Sequence, residues 1–410
     1  MPPRGWKQVR RMRGHEAPIV DFVWSPDGDR LASFDGRGHL VIWNAITGKP
    51  LHALREPSGA IRAIAWSPNC DAIAIATEDD LSLDPLEPVA SEAHLRPGVD
   101  DEDDAILDQL GDSLAPVQET VDRLYVRLVD VDSGLHIGAL SFRSDTVYPR
   151  ALVWPRQDRL YIAAADGVSA WQPTDGHHLG RLEHSQRRLF TSIAATRDAR
   201  TIAAASVEGN IMVWDTEGEV MHRLESDLQD LCSISLAPGY ARLAAGNEEG
   251  VVEVWSFGTD EPEMRTLEGH SSGIVSTSFS ADGKLLATGS EDGTVKVWDT
   301  SDWSLISELS RRGGAIRTPV HFAPRGTVLA GAINGDHAVR TWALDLATLA
   351  ARRARPGTVH YTNAKVVLLG DTGVGKTGLG LVLRDRPKTL RSLGVGGGVG
   401  GTRAVRRRAG

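Results

Sequence analysis

The 410-residue sequence predicts an all-β fold, a closed ring of seven antiparallel four-stranded sheets forming a seven-bladed β-propeller, and three observations carry that expectation. The first is the unit at residues 266–300. Gly269-His270 is followed by an apolar run ending at Phe279 and the turn Ala281-Asp282-Gly283. The run 285–288 comes next, then the turn Glu291-Asp292-Gly293 and the run 295–299. Apolar or alternating runs separated by Asp-Gly turns make a meander, because Gly there supplies the positive φ of a tight hairpin. The second observation is recurrence. Trp298 has counterparts at Trp43, Trp171, Trp214, Trp255 and Trp342, and residues 124–130 carry the pattern with Arg127 in the Trp place. From Arg127 onward the intervals are 44, 43, 41, 43 and 44 residues. A period of about 40–45 residues with four strands in each is that of a propeller. The third observation concerns closure. Trp6 stands nine residues before His15, as Trp303 stands nine before Arg312, so residues 6–12 read as an outermost strand without a blade of its own. Pairing it with the last blade, at about 318–344, would tie the chain into a ring without an open seam. The competing donor, 346–353, is rich in Ala and Arg and so less suited to a strand.

Blade one, about 17–55, is near-complete, with Gly14-His15, Ser33, Asp35 and Trp43. Blade six matches it with His270, Ser290, Asp292 and Trp298. Elsewhere parts are missing: Glu208 stands near the Asp site of blade four, and blades two to five and seven lack Gly-His. Trp24, Trp66 and Trp154 close first strands where Phe279 and Phe322 stand in other blades, and read as core aromatics. Blades three to seven run through about 144–182, 187–224, 229–267, 272–309 and 314–344. His177-His178 read as turn residues, since adjacent His on an extended chain cannot both face one metal.

Blade two is interrupted after Thr77 and resumes at Arg123. The insertion, 79–122, holds 14 acidic residues against the single Arg96. Its first part, with Pro85, Pro88 and Pro97, reads as lacking structure. Residues 103–114 can form a short amphipathic helix, with Ile106, Leu107, Leu110 and Leu114 on one side and acids at its positive end; Gly111 weakens it. The readings are a docking element for a basic partner, a strap across a propeller face, or a solvated insertion. The run Asp100 to Asp104 lacks the spacing of a calcium loop.

Composition narrows the class. The net charge of -9 argues against a nucleic-acid partner. Trp, at 11, outnumbers Tyr at 5 and Phe at 7, which follows from one Trp per repeat. Cys70 and Cys232 fall at different places in different blades and read as reduced thiols of a cytoplasmic protein. The N-terminus has no apolar core of a secretory signal, and no stretch approaches the ~18 apolar residues of a membrane span.

In the register of Gly-His, turn Asp and Trp-Asp, residues 6–350 resemble the WD-repeat family. The resemblance implies a hydrogen-bonded His, Ser/Thr, Asp and Trp tetrad inside each complete blade, structural rather than catalytic. The chemistry supports it: a buried indole N–H needs an acceptor, and a His ring can link a hydroxyl to a carboxylate. It also implies a protein–protein interaction scaffold that meets partners through its loops and needs no cofactor.

After a linker at 351–363 the pattern changes. The apolar run 365–369 enters Gly370-Asp371-Thr372-Gly373-Val374-Gly375-Lys376-Thr377, and 379–383 suits a helix. Strand, G-x-x-x-x-G-K-T and helix are the setting of a phosphate loop. Its glycines let backbone N–H groups close around phosphates, Lys376 would reach the β/γ-phosphates, and the Thr377 hydroxyl would sit on Mg²⁺. The loop resembles the first motif of Ras-like small GTPases, which implies GTP and Mg²⁺; other P-loop classes stay open. No D-x-x-G or N-K-x-D follows, and Asp385 is the only later acid. The tail, 387–410, with six Gly in 394–401 and Arg406 to Arg408, reads as disordered and as a premature or out-of-frame end. The expectation is therefore a scaffold that stops within an incomplete P-loop segment at 364–386. The alternative is a GTP-binding regulatory protein whose propeller recruits partners to that module.

Overall fold

The computed structural model describes residues 2–56, 61–77, 87–88, 123–142, 149–165, 167–184, 189–257, 262–310, 317–333 and 337–353. The chain divides into two units, 1–350 and 351–410, and 351–353 are the residues described in the second.

Seven antiparallel sheets form the first unit, each running from an innermost to an outermost strand. Blade one is Ile19–Trp24, Arg30–Asp35, His39–Asn44 and Pro50–Arg55. Blade two is Ile61–Trp66, Ala72–Thr77, Arg123–Asp130 and His136–Phe142. Blade three is Pro149–Arg156, Arg159–Ala164, Gly167–Gln172 and His177–His184. Blade four is Phe190–Ala195, Thr201–Ser206, Asn210–Asp215 and Val220–Glu225. Blade five is Leu231–Leu236, Arg242–Asn247, Val252–Ser256 and Glu263–Leu267. Blade six is Ile274–Phe279, Leu285–Ser290, Thr294–Asp299 and Leu305–Ser310. Blade seven is Val320–Phe322, Val328–Gly331 and Ala338–Leu344, completed by Trp6–Arg13.

The closing strand pairs as the sequence leads one to expect, with Trp6 opposite Leu344 and Met12 opposite Val339. Trp6 also reaches blade six, its indole N–H donating to Ser307 Oγ at 2.9 Å, and it meets Trp342 edge-on at 5.9 Å. The competing donor is not a strand: Leu346–Arg353 is a helix. Asp345 caps it, accepting from the Thr348 backbone N–H at 3.1 Å, and Leu349 is buried beside Trp6 and Trp342.

Sequence explains burial strand by strand. The second strands read as small and apolar runs, AIAIAT in blade two and TIAAAS in blade four, and are buried on both faces because blades stack on either side. At Gly289, at the end of the second strand of blade six, a Cβ would fall 2.0 Å from the Thr318 carbonyl, so the blade-seven backbone can approach only glycine there. Outermost strands bury few residues, and their exposed side chains include apolar ones such as Met221 and Leu305 beside charged ones.

Blades are also stitched together at the inner strands. Trp24 donates to the His321 carbonyl of blade seven, and Trp66 to the Val23 carbonyl of blade one, at 3.3 and 3.2 Å. Ser192, Ser233 and Ser276 each accept a backbone N–H from the next blade, those of Ile234, Thr277 and Val320. Serines here let a hydroxyl replace water for backbone groups that the ring would otherwise strand.

Three expectations are corrected. The Trp place of blade two is Val129, not Arg127: Val129 faces Ile73 as Trp43 faces Leu31 and Trp298 faces Leu286. Within the insertion, Glu87–Pro88 pairs with Leu54 and Arg55 on the outer edge of blade one, so the stretch around Pro88 is not wholly without structure. His177-His178 begin the outermost strand of blade three rather than lying in a turn, and the His178 ring lies 4.6 Å from that of Trp171. The helix expected in 103–114 lies outside the described residues.

Candidate functional site at the channel mouth

The tetrads account for most of the buried polar residues that the sequence singles out. In blade one Trp43 Nε1 donates to Ser33 Oγ at 2.8 Å, and Ser33 lies 2.7 Å from His15 Nε2. His15 Nδ1 lies 3.1 Å from Asp35 Oδ2. A carboxylate only accepts, so the proton sits on Nδ1 and Nε2 accepts from Ser33. Burial pushes the Asp35 carboxyl up, but the hydrogen bonds from His15 and from the Arg37 and His39 backbone outweigh it and hold it at about 2.

Blade six repeats this with one correction. The hydroxyl is Thr288, not Ser290: Trp298 Nε1 donates to Thr288 Oγ1 at 3.0 Å, and His270 Nε2 lies 2.8 Å from it. Thr288 is the diagonal neighbour of Trp298 across the strand pair, whereas Ser290 stands a further two residues along and donates to the Ser272 carbonyl. Blades four and five place Ala204 and Ala245 at the diagonal position, and the indole N–H groups of Trp214 and Trp255 are buried with no hydrogen-bond partner.

Blade two departs furthest. Val129 leaves vacant the space that a Trp ring fills elsewhere. At Gly14 of blade one a Cβ would lie 2.9 Å from the Trp43 ring. The matching residue of blade two, five before its innermost strand, is Glu56, which is buried. Arg127, also buried, brings Nε to 3.6 Å from Glu56 Oε1, close enough for an ion pair but too long for a hydrogen bond. Burial pushes the Glu56 carboxyl up, against the pull of Arg127. The same mid-strand position holds Glu253 and Lys296 in blades five and six, and Lys296 pairs with Glu308 at 2.6 Å. Sequence reading missed this buried charged position, because alternation alone marks it as core.

The ring encloses a cavity of about 450 Å³ along its axis, lined by innermost strands. In blades one to six the pairing register slips near the start of the innermost strand, between Ile19 and Asp21 and at the matching sites of the next five blades; blade three slips again between Val153 and Arg156. A bulge re-aims the extra residue. Those residues are Val20, Arg62, Arg150, Thr191, Cys232 and Val275, and all six line the cavity. Arg317 lines it on the blade-seven side. The bulges lie near the strand starts, on the rim where second strands end; Ile61, for example, faces Thr77. Deeper in, His321 Nε2 meets Asp21 Oδ1 at 3.0 Å. The Cys232 thiol donates to the Ile274 carbonyl at 2.8 Å, and burial pushes it up to about 12, so it is an inert thiol at neutral pH. Both cysteines are free, and among the described residues no group of His, Cys, Asp or Glu could hold a metal ion. The predicted phosphate loop, Gly370 to Thr377, lies outside the described residues.

Residues 262–299 match the family described as "WD domain, G-beta repeat", and residues 4–69 match the "Anaphase-promoting complex subunit 4 WD40 domain". The β-propeller domain of Cps50 (Swd1) from Myceliophteria thermophila superposes with a TM-score of 0.62 at 14% identity, covering 83% of this chain and 99% of that one. The chain is a WD-repeat β-propeller of seven blades. Its repeats are similar to those of the guanine nucleotide-binding protein subunit beta of Solanum tuberosum, 21% identical over 275 residues, 60% of this chain and 70% of that protein. The corresponding subunit of Arabidopsis thaliana is 31% identical over 72 residues, 18% of this chain, so the matched stretch spans only 19% of that relative. This WD-repeat scaffold thus carries two full tetrads and several that its sequence has dismantled.

Proposed function

We propose that this WD-repeat scaffold recruits protein partners at the mouth of its axial channel, on the rim where the innermost strands begin. WD-repeat propellers as a class mediate protein–protein interactions. The supporting observation is an internal contrast. Five blades besides blade six keep Trp at the end of the third strand, at Trp43, Trp171, Trp214, Trp255 and Trp342, whereas the bulge residues of blades one to six are of four different types. Repeats that preserve their packing residues and vary the residues around one opening suit recognition of a specific surface, since exposed polar variety on a rigid frame carries binding rather than packing. The test is photo-crosslinking from Thr191 and Val275, set against Met221 and Leu305 on the outer edge. Partner adducts should form from the mouth positions. Adducts only from the outer edge would refute the reading. The compartment we propose is the cytoplasm, given two free thiols; among the described residues no helix is long and apolar enough to cross a membrane.

The acidic insertion at 79–122 gives a second contact of opposite charge, for a basic partner. The segment Gly370 to Thr377 remains a proposed phosphate loop for GTP and Mg²⁺, supported by its motif alone. The scaffold reading needs no nucleotide. Titration with fluorescent GTP and ATP analogues and Mg²⁺ should not distinguish the chain from its Lys376→Ala variant. Saturable binding lost in that variant would establish a working phosphate site and return the regulatory reading to first place.

A further inference from the structure

The channel mouth is not evenly charged. Arg317 of blade seven, Arg62 of blade two and Arg150 of blade three are all exposed and all line the axial cavity, with Val20 of blade one between the first two. The arc thus covers four consecutive blades. The facing blades, four to six, offer Thr191, Cys232 and Val275 at the corresponding places. Among the described residues the acids of the cavity are Asp21, which His321 engages, and Glu248 of blade five, on the side away from the arc.

From this arrangement we propose that the arginine arc binds an acidic peptide segment, with side-chain carboxylates on Arg150 and Arg317 and the rest of the segment along the hydroxyl-lined side. The inference rests on the reading of the mouth as the recruiting surface and adds the chemistry of what is recruited. Guanidinium groups match carboxylates two bonds at a time, which suits a short extended chain bearing several Asp or Glu. A cavity of about 450 Å³ admits a few side chains and excludes a folded domain, so a peptide is the fitting form of that anion. The occupant we assign is such a segment of a partner protein, since the mouth is read as the recruiting surface. Its competitor is the insertion at 79–122 of this same chain, which leaves blade two at Thr77, directly opposite Ile61 and one residue from Arg62.

The experiment uses the full chain and a fluorescent synthetic peptide of residues 98–114, followed by anisotropy. Binding should be saturable and should weaken as salt rises, because exposed charges are screened. The variant Arg150→Glu with Arg317→Glu should lose about tenfold or more in affinity. A control with the same charge change on exposed residues, Lys49→Glu with Lys284→Glu, should lose about twofold or less. Circular dichroism and the thermal midpoint establish that both variants fold. Replacing 79–122 by a Gly/Ser linker separates the sources. Unchanged affinity, with the arginine effect intact, is the expected result for a partner's segment. A gain of several-fold in peptide affinity means that the chain's own insertion occupies the arc and overturns the assignment to a partner. No saturable binding, or equal loss in both charge variants, overturns the proposal. Retained mouth crosslinks in the Arg150→Glu/Arg317→Glu chain would then leave the recruiting surface standing and remove only its acidic ligand.

Discussion

At the residue scale, two hydroxyls two residues apart in one strand have unequal consequences. Thr288 accepts from Trp298 and contacts His270, whereas Ser290 serves a turn carbonyl. Thr288→Val should therefore strand a buried indole N–H and a ring nitrogen and cost about 1–3 kcal/mol, against roughly 1 kcal/mol or less for Ser290→Ala. Urea unfolding of the two variants decides this, and equal costs would place the tetrad hydroxyl wrongly. The carboxylates add a pH signature. Asp35 is held at about 2 and Asp292 lower still, by hydrogen bonds that outweigh burial. A depressed folded value stabilises the native state above the unfolded value, about 4, and that contribution is lost as pH falls toward 2. The acid side of the stability curve should be shallower in Asp35→Asn than in the parent chain. Parallel curves between pH 5 and 2.5 would assign acid sensitivity to other carboxylates.

At the element scale, blade two shows what a repeat does when its Trp is gone. Arg127 and Glu56 occupy the vacated interior as an ion pair without a direct hydrogen bond. Removing one partner leaves a buried charge, so Arg127→Met should cost about 3–5 kcal/mol at neutral pH. Arg127→Met with Glu56→Leu should recover most of that loss, because a buried pair is often matched by apolar side chains of similar volume. Failure of the double variant to recover would show that the pair holds the blade in a way that packing cannot replace. The same blade marks where sequence reading stops. Six strands announce their ends by Trp, and the seventh does not. A two-residue slip keeps every side chain on the same face, so periodicity cannot tell Arg127 from Val129; only the pairing of Ala72 with Asp130 does. Thr288 and Ser290 share a face for the same reason, so spacing alone does not tell which hydroxyl completes the tetrad. The channel arc was also illegible, since a bulge at Arg62 or Arg150 has no mark in composition, whereas the Asp-Gly turns and the closing strand do.

At the scale of the whole molecule, ring closure makes the ends of the propeller interdependent. Trp6–Arg13 supplies the outer strand of blade seven, and Trp6 bridges to Ser307 of blade six and to Trp342. Without it, Ala338–Leu344 becomes an exposed edge beside blade one, and the chain no longer ties the first and last blades together across their seam. Trp6→Ala removes one large buried side chain and should cost about 3–5 kcal/mol while leaving one cooperative transition. Deleting residues 1–13 removes the strand itself, and the ring should then unfold in more than one step, as stacked repeats do when neighbours uncouple. A synthetic peptide of residues 1–16 added in trans should restore a single transition, because the open edge offers it the ladder that Trp6–Arg13 occupies. Calorimetry of the three forms tests this. If the deleted chain keeps one sharp transition at the parent's midpoint, closure is not what makes the seven blades unfold together, and their stability must come from the inner-strand serines and tryptophans that stitch each blade to the next.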